Sequence, residues 1–395
     1  MRNSDLKKWT IKSIVMSSWR MGSIKDIMMN VFMMKVIGVA LAIWPLKSEG
    51  KRWYYAFLQE MVYRFFHVNF WLLIIPSLWS IYKIRHNLAS VLTSVTQLTI
   101  VFEILAIMVL SRRQAARLKT LLTMAYDYVS VADDKVYPVV YKYVRKAQII
   151  FGIITLAYAL ILLTYLMQAF IENKPPIYAY YPFDIKSPVV WICVYGNQLL
   201  CTSYAAVVII MDAMMMFMIF VTSIRLELLQ KDFKKVKDYP DLVKCIRTHQ
   251  DIIWYIKEVY CIKKYMVLKM LISIAIYIIC EGLQLFALNL SWGMRFQVSL
   301  LFGIGLFRVY IYAASSQDLI SSGLDLGYFV YSSLWYNQSH NVIVAKAFVI
   351  CRCQKSLGIR VCGITDNLNM KFLANFLYRV FSYTMTLRAI IKTLR

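Results

Sequence analysis

The chain has 395 residues, of which 60% are hydrophobic, and it carries a formal net charge of +24 at pH 7. A soluble protein does not bury so much apolar surface, and the sequence therefore predicts an all-α membrane protein with several transmembrane helices. Such a positive charge also occurs in nucleic-acid-binding proteins, but in a membrane protein basic residues are expected first on cytoplasmic loops. We expect membrane lipid as a partner and no nucleic acid.

The first 52 residues are basic and rich in methionine, and they lack the pattern of a cleavable signal peptide. Within them, the stretch 27–46 is apolar enough to resemble a span, but Lys35 lies in its middle and Pro45 lies near its end. We predict that it lies as an amphipathic helix on the cytoplasmic surface, within an N-terminal segment of residues 1–59.

Seven later segments each supply the roughly 20 mostly apolar residues with which a helix crosses a bilayer. The fourth and fifth have polar ends without a stop signal, and we expect both to continue as helices into the cytoplasm. The seven predicted spans are 64–82, 88–110, 147–171, 188–224, 265–290, 296–314 and 370–390.

The distribution of lysine and arginine predicts the orientation of these spans. Segments 1–59, 111–146, 225–264 and 315–369 together carry 32 of the 45 lysines and arginines, and the connections on the opposite side carry 8. By the positive-inside rule, the N-terminus is cytoplasmic and the C-terminus is extracellular. This orientation is inverted relative to a G-protein-coupled receptor, and it leaves almost no cytoplasmic tail.

The last predicted span carries a polar stripe. Its members recur at spacings of three and four residues and are Asn375, Arg379, Ser382, Tyr383 and Thr386. Such a stripe is costly against lipid, so it suits either hydrogen bonding between helices or the lining of a pore.

Ionisable residues inside predicted spans are candidates for function, although those near helix ends can extend to the interface. We expect this second behaviour of Arg64, Lys269 and Lys371. Glu103 and Asp212 are predicted to pair with cations of nearby loops. Glu281 and Arg308 lie at similar depth on two helices, and the sequence leaves open whether they pair.

No pattern of residues indicates an enzyme. The four histidines, His67, His86, His249 and His340, show no metal-ligand spacing, and the chain has no glycine-rich phosphate loop and no nucleophile elbow. We therefore expect no catalytic residues, no metal and no cofactor.

Several short motifs occur together in a characteristic order. They are Gly38 with Trp44-Pro45, Tyr181-Pro182-Phe183-Asp184 with Ser187-Pro188 and Trp191, Gln198, Tyr331-Ser332-Ser333-Leu334-Trp335-Tyr336, Cys351-Arg352-Cys353-Gln354-Lys355, and Phe372 with Ser382-Tyr383 and Leu387-Arg388. With this order and the predicted topology, the chain resembles an insect odorant receptor over nearly its whole length. It departs from the family at Lys371, where an acidic residue is common, and at Thr386, where an apolar residue is usual.

The resemblance implies the tuning subunit of an odorant-gated, non-selective cation channel, built as a heterotetramer with a shared coreceptor in the plasma membrane of olfactory neuron dendrites. Spans one to six (60–314) would form the ligand-binding bundle, residues 315–369 a cytoplasmic anchor, and residues 370–395 the pore helix with a short extracellular end. Tyr383, Thr386 and Ile390 would face the pore.

The resemblance also implies that a small volatile binds in the outer half of the bundle, where an apolar cavity with a few polar groups is expected. The loop rich in proline and aromatic residues at 175–183 suits either an interfacial anchor or a lid over this site. Candidate ligand-binding residues are Val91, Val95, Tyr158, Leu162, Tyr165, Tyr195, Leu199, Thr202, Phe302, Leu306 and Tyr310.

Two alternatives share part of this pattern. A gustatory receptor channel has the same topology, although its usual closing motif does not match the stretch from Ser382 to Ile390. A metabotropic seven-span chemoreceptor or a transporter would keep the ligand site and lack the pore. The internal repeats and broken helices that are frequent in transporters are not evident in the sequence.

Overall fold

The computed structural model describes residues 53–130, 136–172, 175–185, 187–287, 290–333, 335–361 and 367–393. The predicted interfacial helix at 27–46 lies outside the described residues. The described part of the chain is helical, with one isolated antiparallel bridge between Arg360 and Asn367. Its helices are α1 (Trp53–Lys83), α2 (Leu88–Arg113), α3 (Ala115–Ser130), α4 (Tyr137–Glu172), α5 (Pro188–Ser203), α6 (Ala206–Phe233), α7 (Tyr239–Ala287), α8 (Trp292–Tyr331), a 3-10 turn (Trp335–Asn337), α9 (His340–Cys353) and α10 (Met370–Thr393).

Six of the described helical segments are long and apolar enough to cross a membrane. They are Ala56–Lys83, Leu88–Arg113, Tyr137–Met167, Pro188–Phe233, Tyr239–Phe286 and Trp292–Tyr331. The prediction of an all-α protein with several spans is therefore confirmed. Helix α10, which carries four basic residues, Lys371, Arg379, Arg388 and Lys392, is not among the six, so the count of seven spans and the orientation of the termini stay predictions.

Side-chain caps fix where several helices begin. The Asn87 side chain accepts a hydrogen bond from the Ser90 amide (3.3 Å) at the start of α2, and Asn369 accepts one from the Phe372 amide (2.8 Å) at the start of α10. These bonds satisfy amides that a helix leaves unpaired in its first turn.

The predicted fourth span, 188–224, lies within the single membrane-length segment Pro188–Phe233, which a two-residue turn at Tyr204 and Ala205 divides into α5 and α6. Here the Ala205 amide bonds to the Thr202 carbonyl (3.0 Å) and the Val208 amide to the Ala205 carbonyl (2.9 Å), a three-residue spacing that tightens the backbone. The Tyr204 side chain is fully buried, and its ring centroid lies 3.8 Å from that of Phe66 in α1. Packing of this tyrosine therefore accompanies the break.

Helix α7 runs for 49 residues and contacts α2, α6, α8 and α10. The neighbouring helix α6 is rich in methionine, and its buried residues include Met211, Met214, Met215, Met216 and Met218. Thioether side chains are unbranched and fill irregular gaps between helices. Both helices contribute to the main hydrophobic core.

A second hydrophobic core lies where α6, α7, α8 and α9 meet, at the end of the bundle away from the 175–185 loop. Gly327 lets α8 approach α9 closely there, since a β-carbon on it would come within 3.0 Å of the Cys353 β-carbon. Lys346 of α9 is only 2% exposed and donates hydrogen bonds to Ser333 Oγ (2.8 Å) and Gln338 Oε1 (2.7 Å).

Candidate functional site

The main candidate site is a cavity of about 70 Å³ between α1, α2, α4, α5 and α8. Its lining is mostly aliphatic, with a few polar groups, which is the composition expected for a site that binds a small apolar molecule. Four candidate residues from the sequence line it: Tyr158, Leu162, Tyr165 and Thr202. Ten further lining residues were not among the candidates: Leu73, Gln97, Ile100, Val101, Ile104, Ile161, Ile177, Cys201, Ala205 and Leu301.

The other seven candidates do not line this cavity. Val95 packs beside a small cluster of Leu92, Cys280 and Leu283, and Tyr310 is 46% exposed and stacks on Phe307. Tyr195 stacks on Trp191 with ring centroids 5.0 Å apart. Phe302 and Leu306 pack against the main hydrophobic core, and Val91 and Leu199 are half-buried. Ligand contact by any of the eleven residues stays a prediction.

The break between α5 and α6 helps to shape the cavity. Cys201, Thr202 and Ala205 line it from this interruption. The Thr202 hydroxyl donates its hydrogen to the Gln198 carbonyl (2.8 Å) within α5, so toward the cavity it can only accept a hydrogen bond. Sequence periodicity could not locate this break because both helices are continuously apolar.

The loop 175–185 closes one end of the cavity, with Ile177 in its wall. Gln198 of α5 clamps this residue on both sides, since it accepts from the Ile177 amide (2.8 Å) and donates to the Ile177 carbonyl (3.2 Å). Gln97 of α2 similarly donates to the Pro176 carbonyl (3.2 Å) and accepts from the Tyr178 amide (3.2 Å). The loop therefore lies as a fixed lid, while its exposed Tyr180 and Phe183 still suit a membrane interface.

A buried network of charged residues lies next to the cavity. One of its members, Glu103, directly precedes Ile104, which lines the cavity wall. Arg308 of α8 donates to Glu103 of α2 through Nη2 (2.9 Å) and Nη1 (3.3 Å), and its Nε donates to Asp212 of α6 (2.8 Å). Tyr277 donates to Glu103 (2.6 Å) and Tyr312 to Asp212 (2.8 Å). Each carboxylate thus has a cation and a phenol, which compensates for the loss of water.

This network corrects the expectations for Glu103, Asp212 and Lys269 and answers one question that the sequence left open. Glu103 and Asp212 pair with cations of other helices rather than of loops, because the helices bring Arg308 between them. Arg308 is therefore occupied by these two residues, and the structure places no Glu281–Arg308 pair. Lys269 does not extend to the interface, since its Nζ donates to Glu103 Oε1 (3.1 Å).

Helix α10 leaves most of its surface uncovered in the single chain. Its buried residues are Leu373, Val380 and Thr384, which face the bundle. Tyr383, Thr386 and Ile390 are exposed, as are Tyr378 and Phe381. An exposed face that mixes aromatic, hydroxyl and basic groups suits a protein partner or water better than lipid along its whole length.

A bundle of long apolar helices around a mostly apolar cavity is the architecture of a multi-pass membrane protein, and the cavity is a candidate site for a small molecule. The family model described as 7tm Odorant receptor matches residues 83–378, and the chain belongs to that family. The resemblance to insect odorant receptors read from the sequence is thereby confirmed. This is a family of receptors, and the match gives no support to the gustatory alternative.

Solved structures of one insect receptor share the fold. The olfactory receptor OR5 from Machilis hrabei in complex with eugenol matches with a TM-score of 0.82 at 13% identity, over 93% of this chain and 99% of that chain. A second structure of OR5 from Machilis hrabei matches with a TM-score of 0.76 at 15% identity, over 92% of this chain and 98% of that chain. A separate comparison with curated proteins finds no significant match.

Proposed function

We propose that this odorant receptor is the tuning subunit of an odorant-gated, non-selective cation channel. A small, largely apolar volatile binds in the lidded cavity, and binding there opens a pore lined by α10 of several subunits. The observation that carries this proposal is the cavity itself, which is lined by residues of five helices and by Ile177 of the 175–185 loop.

The chemistry of the cavity fits such a ligand. A ligand of about ten heavy atoms reaches micromolar affinity with about 8 kcal/mol, which is within the ceiling of roughly 1.5 kcal/mol per atom. Apolar contact can therefore supply the affinity, and no ion pair is needed. Asp212 and Glu103 form ion pairs with Arg308, and these pairs hold α2, α6 and α8 together.

The uncovered face of α10 supports the pore. Tyr383, Thr386 and Ile390 follow one another at spacings of three and four, so they share a helix face, and all three are exposed in the single chain. Four such helices around an axis would give a conduit with hydroxyl groups and an apolar ring, a combination that can gate by dewetting.

We further propose that the partner is a shared coreceptor subunit and that the channel is located in the plasma membrane of sensory dendrites. Arg388 and Lys392 are exposed near the end of α10, where positive charge would repel entering cations. A coreceptor without these charges would provide most of the conduction path, which supports a heteromeric assembly.

Whole-cell current under voltage clamp tests the proposal. Cells expressing this chain with an insect odorant coreceptor are exposed to a panel of volatiles while G-protein signalling is blocked, and cells with the coreceptor alone are the control. Rapid inward current that requires this chain is the expected result. Current that disappears under the G-protein block would favour a metabotropic receptor, and silence despite surface expression would overturn the channel.

A further inference from the structure

A second, smaller cavity of about 20 Å³ adjoins the main one and shares Gln97, Tyr165 and Leu301 with it. Its remaining wall is much more polar than that of the main cavity. We call this cavity the polar annex, and its polar residues beyond the shared ones are Thr93, Thr96, Glu281, Gln284 and Gln297.

Two side chains of α7 dominate the chemistry of the polar annex. Glu281 is 1% exposed, and its Oε2 has no hydrogen-bond partner among the described residues. Gln284 is fully buried, and its Nε2 also has none in the described part of the chain. Because they are three residues apart on one helix, the two side chains lie on the same face.

The Gln284 amide has a polar neighbour at its oxygen end. Its Oε1 lies 3.2 Å from the Thr93 hydroxyl of α2, which also lies 3.0 Å from the Ala89 carbonyl, and its NH₂ group has no partner among the described residues. The polar annex thus offers one carboxyl oxygen and one amide N–H₂ group, both buried. Leaving such groups unpaired in a buried site is unfavourable, so a ligand that pairs both gains affinity and selectivity.

No residue that lines the polar annex is a lysine or arginine. Nearby Arg308 and Lys269 are engaged with Glu103 and do not pair with Glu281. Thr96 hydrogen-bonds to the Glu281 carboxyl, and the Oε2 oxygen of that carboxyl is left for a ligand.

The hydrogen-bonding capacity of common ligand groups discriminates between candidates. An ammonium group only donates, so it would pair with Glu281 and leave the Gln284 amide unmatched. A carbonyl or ether oxygen only accepts, so it would pair with Gln284 and leave an ionised Glu281 unmatched. A hydroxyl group donates and accepts, and it also pairs with Glu281 if the carboxyl is protonated, because its oxygen can then accept.

We propose that the polar annex binds the hydroxyl group of a small alcohol or phenol whose apolar body occupies the main cavity. Glu281 and Gln284 are then specificity-determining residues, with Glu281 accepting from the hydroxyl and Gln284 donating to its oxygen. This inference rests on the proposed function only in taking the main cavity as the ligand site.

Ligand-dependent thermal stabilisation of the purified full-length protein in lipid nanodiscs tests this assignment without requiring a pore. The probes are 1-octanol, octylamine and nonane, which have equal heavy-atom counts, together with shorter and longer alcohols and simple phenols. Each probe is compared between wild type and variant, so differences in partition into lipid cancel. The variants are Glu281→Leu and Glu281→Gln, and Glu258→Gln, on the same helix but outside both cavities, is the matched control.

We expect Glu281→Leu to weaken the best hydroxyl ligand about tenfold or more and to leave nonane unchanged. Glu281→Gln should retain most hydroxyl binding, because its amide oxygen still accepts, and Glu258→Gln should behave as wild type. The proposal is overturned if no hydroxyl compound stabilises the wild type, if hydroxyl ligand and nonane lose affinity equally, or if octylamine alone depends on Glu281. Binding without current in cells would instead refute the channel and leave the subsite standing.

Discussion

Gly282 of α7 lies directly against Thr384 of α10, so that a β-carbon on the glycine would come within 3.0 Å of Thr384 Cγ2. Phe302 of α8 borders the same contact at 3.9 Å, and its neighbour Leu301 lines the main cavity. The preceding residue, Glu281, lines the polar annex. One turn of α7 therefore packs against the proposed ligand site on one face and against the proposed pore helix on another.

Replacement of Gly282 by alanine tests whether this contact transmits ligand binding to α10. Overpacking of this kind typically costs 1–3 kcal/mol, so the variant should disfavour the arrangement described here and raise the current without ligand. The control is Gly303→Ala on α8, where a β-carbon would meet nothing within 4 Å. Equal basal currents in the two variants, at equal surface expression, would refute this role of the contact.

Arg308 should be essential for stability because two carboxylates depend on it. The variant Arg308→Met leaves Glu103 and Asp212 with reduced compensation in a buried site, and we expect a loss of about 3–5 kcal/mol in the free energy of unfolding. Denaturation of the purified protein in detergent measures it. The pair of Arg64 with Glu60 is largely exposed, so Arg64→Met should cost no more than about 1 kcal/mol. Similar losses from both would contradict the compensation argument.

The main cavity predicts a contrast between two adjacent leucines of α4. Leu162 lines the cavity, whereas Leu163 is 52% exposed and faces away from it. Leu162→Ala should raise the half-maximal ligand concentration about tenfold, since the loss of roughly two methylene contacts, at about 0.8 kcal/mol each, weakens binding by about 1.5 kcal/mol. Leu163→Ala should leave it unchanged. Concentration–response curves of both variants for the same volatile measure this difference. Equal shifts of the half-maximal concentration in the two variants would place the ligand elsewhere.

Access to the proposed pore can be read by cysteine substitution on α10. Thr386 is exposed and Thr384 is 2% exposed, although the two lie only two residues apart. A water-soluble thiol reagent should block current through Thr386→Cys and spare Thr384→Cys, with the unmodified chain as background for its native cysteines. Block of both variants, or of neither, would argue against a water-filled path along this face.

Lys346 gives a pH dependence with a definite sign. Burial lowers the pKa of Lys346 below its ordinary value of 10.5, so the unfolded chain binds more protons than the folded chain between the two values. Stability should therefore rise with pH across that range. The melting temperature of the wild type, relative to Lys346→Met, should increase as the pH approaches 10.5. A flat or falling difference would show that the ammonium is fully compensated by Ser333 and Gln338.

Sequence patterns located most of the helices but few of the contacts between them. Tyr158 and Tyr165 were accessible as candidates because aromatic residues stand out in an aliphatic span. Ile100 and Ile161 were not, since aliphatic residues in a span look alike whether they face lipid, a neighbouring helix or a cavity. Gln97 carried a signal that could have been used, because a buried amide in an apolar helix requires a partner.

The sequence by itself determined an all-helical membrane protein of the odorant receptor family, because hydropathy, charge distribution and the order of short motifs are properties of the chain. Tertiary structure alone decided that Arg308 joins Glu103 and Asp212, and that Glu281 turns toward a cavity instead. It also decided that Gln97 and Gln198 hold the 175–185 loop as a lid. The side chains that meet are decided by the rotation of each helix about its axis and by the break at Tyr204. Neither can be predicted from the hydrophobic pattern, because the spanning helices are apolar on every side.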